Sequence, residues 1–261
     1  MHDLPLHFAV LLVVVGAASG FVNTVAGAGS LLSLRALMLL GASAGEANGT
    51  NRIPVIAQSL TAAIGFRKAE PAPRALLVAA AVPAVVGAIA GALLSTIVPD
   101  RVMNLVLIVV LFGVALLGLR KPKPAESNEN RAEEELARLR SPSARIWTFF
   151  AGFSGGFVQA GVGLLLLHAF SNVARLSLIR GNSLKVNVVL AFSLVSAGIF
   201  IMNGQVNWLF AGLLSIGSIA GATLAVKLAI KAGDRLKWAV VLVDLAVCVV
   251  LIVREVSPFI E

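Results

Sequence analysis

The chain is short of charge. Asp, Glu, Lys and Arg make up only 13% of its 261 residues, whereas a soluble domain carries roughly 25%. Most of its surface is therefore built to face lipid. Cysteine is nearly absent: Cys248 is the single one, inside an apolar run. That excludes a disulfide or a cysteine-based metal site within one chain. There are three histidines, His2, His7 and His168, and two lie near the N-terminus, which speaks against a histidine metal cluster. No HExxH, no paired aspartates and no Ser–His pair at useful spacing occur in the apolar runs. An intramembrane enzyme needs such a set, so the expectation is a non-enzyme with no metal and no cofactor.

What the chain has in abundance is apolar residues, 58% of the total, with a mean hydropathy of +0.94. A membrane span needs about 20 such residues in a row, and several runs reach that length. The first run has no preceding Lys or Arg and no clear cleavage site, which marks a retained segment rather than a signal peptide. The net charge is +8, but the bases cluster in loops. Basic loops beside apolar spans follow from the positive-inside rule. The expected partner is thus the lipid bilayer and not nucleic acid.

Two Gly-rich interruptions organise the rest. The first is GFVNTVAGAGS, Gly20 to Ser30, between apolar runs that begin at Phe8 and end at Leu40. The second is GGFVQAGVG, Gly155 to Gly163. After the first break, NGTNR (Asn48 to Arg52) opens a segment ending at Phe66, Ala75 to Val98 forms a clean span, and Val102 to Leu119 forms the next. After the second, GNSLK (Gly181 to Lys185) opens a span ending near Met202, followed by Trp208 to Ile230 and Trp238 to Val253. Gly87 and Gly91, like Gly217 and Gly221, stand four apart, a spacing suited to close helix packing. Trp147, Trp208 and Trp238 each open a span, as interfacial anchors do. Arg120 to Arg145 is the only long polar stretch and reads as a linker. Its RAEEELARLR portion is able to form a short surface helix.

Three more landmarks repeat with the breaks. IAGA occurs at Ile89 and Ile219, an Asp-Arg turn follows at Asp100-Arg101 and Asp234-Arg235, and a base, Arg52 or Lys185, closes each polar opening. The chain is therefore a duplication: 1–119 is one membrane repeat, 120–145 a cytoplasmic linker, and 146–261 the second repeat. Each break can close a re-entrant helical hairpin that leaves the membrane on the side it entered. Three transmembrane helices then follow in each half, and the two repeats are inverted. That topology gathers sixteen bases on one side and leaves only Arg101 and Arg254 on the other, with Arg35, Arg52 and Lys185 inside segments. An ordinary crossing at each break gives parallel repeats and a far more even split. The positive-inside rule favours the lopsided arrangement. The expected fold is an all-α polytopic membrane protein with both termini outside.

Interrupted backbone at membrane depth survives only where protein or a wet cavity satisfies it. Half-helix N-termini carry free amides and partial positive charge. The half-helices starting near Ser30 and Leu164 aim such ends inward. Arg52 and Lys185 are buried bases with few acids nearby, and such bases are usually paired or functional. A central anion site is expected. Its candidates are Asn23, Thr24, Gly27, Gly29 and Ser30 at the first break, and Gln159, Gly161 and Gly163 at the second. Asn48, Thr50, Asn51 and Arg52 join them from one polar opening, and Asn182, Ser183 and Lys185 from the other. Arg52 and Lys185 read equally well as structural bases that snorkel near a helix end. Asp244 has no counterpart in the first half, which points to a structural carboxylate, and His168 reads as a helix-end residue.

GFVNTVAGAGSLLSL, ANGTNR (Ala47 to Arg52), GGFVQAGVG and RGNSLKV (Arg180 to Val186) together resemble the TauE/SafE family of membrane transporters. The resemblance covers nearly the whole chain. It implies a multi-pass protein of the bacterial cell inner membrane. The implied role is export of a small anionic sulfur compound, sulfite or an organosulfonate such as sulfoacetate, by alternating access, with proton coupling an open alternative. An anion channel, or a carrier for another small anion, is the alternative reading, and a homodimer is common among carriers of this size. The chain departs from the family at Ala28, where many relatives carry Gly, and at Arg35, an added base in the short half-helix.

Overall fold

The computed structural model describes residues 5–25, 27–99, 131–159 and 161–232. Arg101, Asp234, Arg235, Trp238, Asp244, Cys248, Arg254 and the spans over 102–119 and 238–253 lie outside the described residues. The elements run α1 (Leu6–Val25), α2 (Ser30–Leu39), α3 (Ala44–Arg67), α4 (Arg74–Ile97), α5 (Arg131–Leu139), α6 (Pro142–Phe157) and α7 (Val162–Leu167). A π-helical turn (His168–Val173), α8 (Leu178–Met202) and α9 (Trp208–Ala232) follow. No strand occurs among the described residues. By length and composition α1, α4, α8 and α9 can each cross a membrane. Exposed Val78, Val82, Val86 and Leu93 on α4 and Ile216 and Leu224 on α9 supply apolar surface for lipid.

Small residues decide which helices touch. A Cβ on Gly217 would stand 1.9 Å from the Val13 carbonyl oxygen, and one on Gly221 2.0 Å from that of Ala17. In return, Gly16 and Gly20 would each meet a carbonyl oxygen at 2.3 Å, those of Leu214 and Ser218. The contacts advance together along both chains, so α1 and α9 run parallel. The same device joins α4 to α6. A Cβ on Gly87 or Gly91 would stand 2.2 Å from the Phe149 or Phe153 carbonyl oxygen, and one on Gly152 or Gly156 1.9 or 2.1 Å from that of Ala84 or Ala88. The opening helix of each half thus packs against the other half. The sequence reading found Gly87, Gly91, Gly217 and Gly221; their partners on α1 and α6 carry the same spacing. Replacing Gly152 with Leu is expected to wedge α4 from α6 and cost at least the 1–3 kcal/mol of overpacking. A thermal melt of the purified protein checks it; an unchanged melting temperature would show that the close approach is unimportant.

Helices α3 and α8 occupy the middle and run antiparallel. Near the start of α3, Thr50 Oγ1 accepts a 2.9 Å hydrogen bond from the Asn207 amide, just beyond the end of α8. At the other end, Phe66 packs with Val186 and Ile179. Helix α3 buries Asn48, Thr50, Asn51, Arg52, Gln58 and Ser59. It is therefore too polar to pass as a span by composition, although its 24 residues extend about 36 Å. The helix also begins earlier than expected, at Ala44, because Ser43 caps it by accepting the Glu46 amide at 3.2 Å; Gly45 lies inside it.

The described part of the polar linker, 131–145, is less solvated than its composition suggests. Helix α5 buries Leu139 completely and Glu135 to 2% exposure. Glu135 forms a 3.0 Å ion pair with Arg180 at the head of α8. The next helix starts at Pro142, with Ser141 as its cap, rather than at Ile146. Sequence composition marked the charges here but could not show that one face of α5 is docked.

Candidate functional site

Both Gly-rich stretches interrupt a helix, and the two interruptions meet. Gly27 sits between α1 and α2 with φ at +110°, a conformation that L side chains rarely adopt. A Cβ there would stand 2.2 Å from the Cα of Gly163, so the backbone of one half lies directly on the backbone of the other. A Cβ on Gly29 would stand 2.2 Å from the Ser19 carbonyl oxygen; α1 and α2 can close on each other only without it. In the second half, Gln159 and Gly161 both take left-handed φ values, 58° and 64°. For Gln159 this is an uncommon conformation.

The two buried bases act crosswise. A helix C-terminus leaves carbonyls without intrahelical partners and carries partial negative charge. Lys185, on α8 of the second half, donates from Nζ to the carbonyls of Asn23 (3.3 Å) and Thr24 (2.9 Å) at the end of α1. Arg52, on α3 of the first half, donates from Nη2 to the Gly156 carbonyl (2.7 Å) and to Asn48 Oδ1 (2.8 Å). Its Nη1 donates to the Gly155 carbonyl near the end of α6, and its guanidinium lies 4.7 Å from the centre of the Phe200 ring. Each base therefore stabilises the broken helix of the opposite half. Both bases are buried, so neither snorkels toward a surface as the alternative reading expected; each instead caps another helix, and Lys185 also faces a cavity.

That cavity lies beside the contact between the breaks. It is small, about 30 Å³, room for roughly two waters. Of the expected site residues, Asn23, Thr24, Gly27, Ser30, Gln159, Gly163 and Lys185 line it. Among the described residues, Lys185 is the single charged side chain on its wall. Thr24 Oγ1 is buried there with no hydrogen-bond partner. Asn23 is held in place, its Nδ2 donating to Ser30 Oγ at 2.9 Å and its Oδ1 accepting the Ser30 amide at 3.1 Å.

The remaining candidates are not among the lining residues. Gly29 packs α1 on α2, and Gly161 turns the second break. Asn48 and Arg52 cap α6, and Thr50 binds the loop after α8. Asn182 and Ser183 are buried in α8 away from the cavity, and Arg35, half-buried on α2, does not reach it. Asn51 sits behind the wall in a polar chain: Ser33 Oγ donates to Asn51 Oδ1 at 2.5 Å, and Asn51 Nδ2 donates to Gln159 Oε1 at 3.1 Å. Gln159 Nε2 in turn donates to Ser193 Oγ at 3.4 Å. Sequence reading missed Gln58 and Ser59, which line the cavity from α3. A signal was present, because Ser59 follows Arg52 by seven residues and so shares its helix face. His168, read as a helix-end residue, opens the π turn, with its ring 4.8 Å from that of Trp147.

Residues 12–251 match the family model described as Sulfite exporter TauE/SafE. The chain belongs to this family. Among curated proteins, this TauE/SafE member is 25% identical over 265 residues to a probable membrane transporter protein, ORF9, of Sinorhizobium, covering 99% of this chain and 97% of that one. It is 24% identical to a probable membrane transporter protein of Haemophilus influenzae, covering 90% of each. It is 27% identical to the probable membrane transporter protein YfcA of Escherichia coli K12, covering 85% of this chain and 81% of that one. No solved structure matches. The family and the relatives make this chain a membrane transporter, and the four long apolar helices among the described residues agree with that.

Proposed function

We propose that this TauE/SafE member carries a small sulfur-containing anion, sulfite or an organosulfonate, out across the bacterial inner membrane by alternating access. The observation that carries the reading is the Gly27–Gly163 contact beside a cavity with one cationic wall residue. Lys185 and the unpartnered Thr24 hydroxyl are the groups a sulfonate oxygen would satisfy. A cavity with room for about two waters is tight for a sulfonate, so binding requires the two breaks to part. A seam that opens between two halves is what an alternating-access carrier needs.

The halves are read as inverted, each break forming the tip of a re-entrant hairpin. Support comes from helix directions. Parallel α1 and α9, parallel α4 and α6, and antiparallel α3 and α8 follow if corresponding helices of the two halves run oppositely. Arg67, Lys68, Arg74, Arg180, Lys227 and Lys231 then share one end of the bundle, the cytoplasmic end under the positive-inside rule. At 20 residues, α1 is about 30 Å long, the thickness of the hydrocarbon core, so a re-entrant hairpin there requires α1 to tilt or to begin outside the core, whereas α6, with 16 residues, is shorter than a span.

The test is flux in proteoliposomes. Saturable movement of sulfite or sulfoacetate, without unitary conductance, is expected; no movement of any sulfur anion under either pH gradient removes the reading. Lys185→Met is expected to weaken anion binding about tenfold or more, since a hydrogen bond to a charged group is worth about 1.5–3 kcal/mol. A thermal-shift titration with sulfite and sulfonates reads this directly. Affinity equal to that of the unaltered chain would place the anion elsewhere.

A further inference from the structure

A second, larger cavity of about 460 Å³ opens between the end of α3, the start of α4 and the first half of α8. Its volume falls in the range of small-ligand sites. Its lining is graded along the helices. On α3, Leu60, Ile64 and Arg67 share one face, being spaced i, i+4 and i+7. Leu60 and Ile64 are 49% and 57% exposed and, inside the bilayer, face lipid. Opposite them on α8 stand Ser183, Asn187 and Leu190, polar toward the helix start and apolar further in. Arg67 and Arg74 close the end of the cleft, both exposed. Ser183 is 1% exposed and its hydroxyl has no partner. The nearby Arg180 is already committed to Glu135 and Glu70.

Two bases at the membrane surface, hydroxyl and amide groups just below, and then an open apolar wall match one ligand class in that order. We propose that this cleft holds an anionic phospholipid, its phosphate at Arg67 and Arg74 and an acyl chain along Leu60, Ile64 and Leu190. Basic pockets between helices on the cytoplasmic side are where such headgroups bind, and Arg67 and Arg74 lie at the basic end of the bundle. A free, fully hydrated anion would have no use for the apolar wall, which more than half of the gradient consists of. The site is separate from the central cavity and does not depend on what is transported.

Native mass spectrometry of the delipidated full chain tests it, with phosphatidylglycerol, phosphatidylethanolamine of the same acyl chains, and glycerol 3-phosphate as probes. Phosphatidylglycerol is expected to bind tightest. The double variant Arg67→Ala/Arg74→Ala should weaken it about thirtyfold, roughly fivefold per base, and weaken phosphatidylethanolamine less, because that lipid's ammonium already offsets its phosphate. Ser183→Ala removes a hydroxyl that bonds to nothing in the fold, so it is not expected to unfold the protein; it should weaken phosphatidylglycerol a few-fold. Equal affinity for the two lipids overturns the proposal, as does binding that both variants leave untouched. Glycerol 3-phosphate binding as tightly as the lipid would identify a soluble anion as the occupant and overturn it too.

Discussion

Gly27→Ala is expected to abolish transport while the protein still inserts in the membrane. Two separate effects act at this residue. Its φ of +110° is strained for any L residue, at a cost of about 1–3 kcal/mol. The added methyl also has nowhere to go, because 2.2 Å away lies the Cα of Gly163, and a backbone atom cannot rotate aside as a side-chain tip can. The two halves must then separate at the seam, and the cavity walls from Asn23 and Thr24 part from those of Gln159 and Gly163. Because most of the packing between halves runs through α1–α9 and α4–α6, the rest of the bundle should survive. Flux in proteoliposomes and a thermal melt measured together decide the matter. Full flux from Gly27→Ala would mean that the contact of the breaks is not where transport happens.

Arg52→Ala should have the larger effect on folding, and Lys185→Met the larger effect on binding. Arg52 is completely buried and satisfies two carbonyls near the end of α6 and the side chain of Asn48. Removing it leaves three buried acceptors short of a donor, each costing about 1–3 kcal/mol, and also removes a ring contact worth about 2 kcal/mol when desolvated. Such a sum rivals the whole stability of a typical domain. Low folded yield and a collapsed melting transition are expected. Arg52→Lys should recover part of the loss, since one ammonium reaches some of these acceptors but lacks the planar fork. If Arg52→Ala melts like the unaltered chain yet loses anion binding, the base is a ligand rather than a helix cap.

The contrast between these two residues marks where sequence reading stops. Their matching places after the two Gly-rich stretches were visible, and so was the oddity of a base inside an apolar segment. A matching position says nothing about what a side chain reaches. Lys185 and Arg52 each turn to the broken helix of the other half, and only Lys185 also borders a cavity. In the same way, Gly87 and Gly217 were legible as packing residues from their spacing, but not their partners at Gly152 and Gly16. Asn182 and Ser183 stand in the same short polar stretch as Lys185, yet they point away from the central cavity. A helix turns by about 100° per residue, so neighbours in a motif face different directions. The docked face of α5 was hidden because Glu135 and Arg180, paired at 3.0 Å, are 45 residues apart in the chain.

Lack of charge and long apolar runs by themselves determined a helical membrane protein, since backbone amides in lipid must be satisfied within the segment. The repeated Gly stretches determined where the helices break, because glycine both tolerates left-handed backbone and weakens a helix. Which breaks touch, which helix end each base caps, and which polar side chains share a cavity were decided only in three dimensions. The contact of the breaks and the capping of α1 by Lys185 and of α6 by Arg52 join residues more than 100 positions apart, and they depend on how the two halves exchange their opening helices.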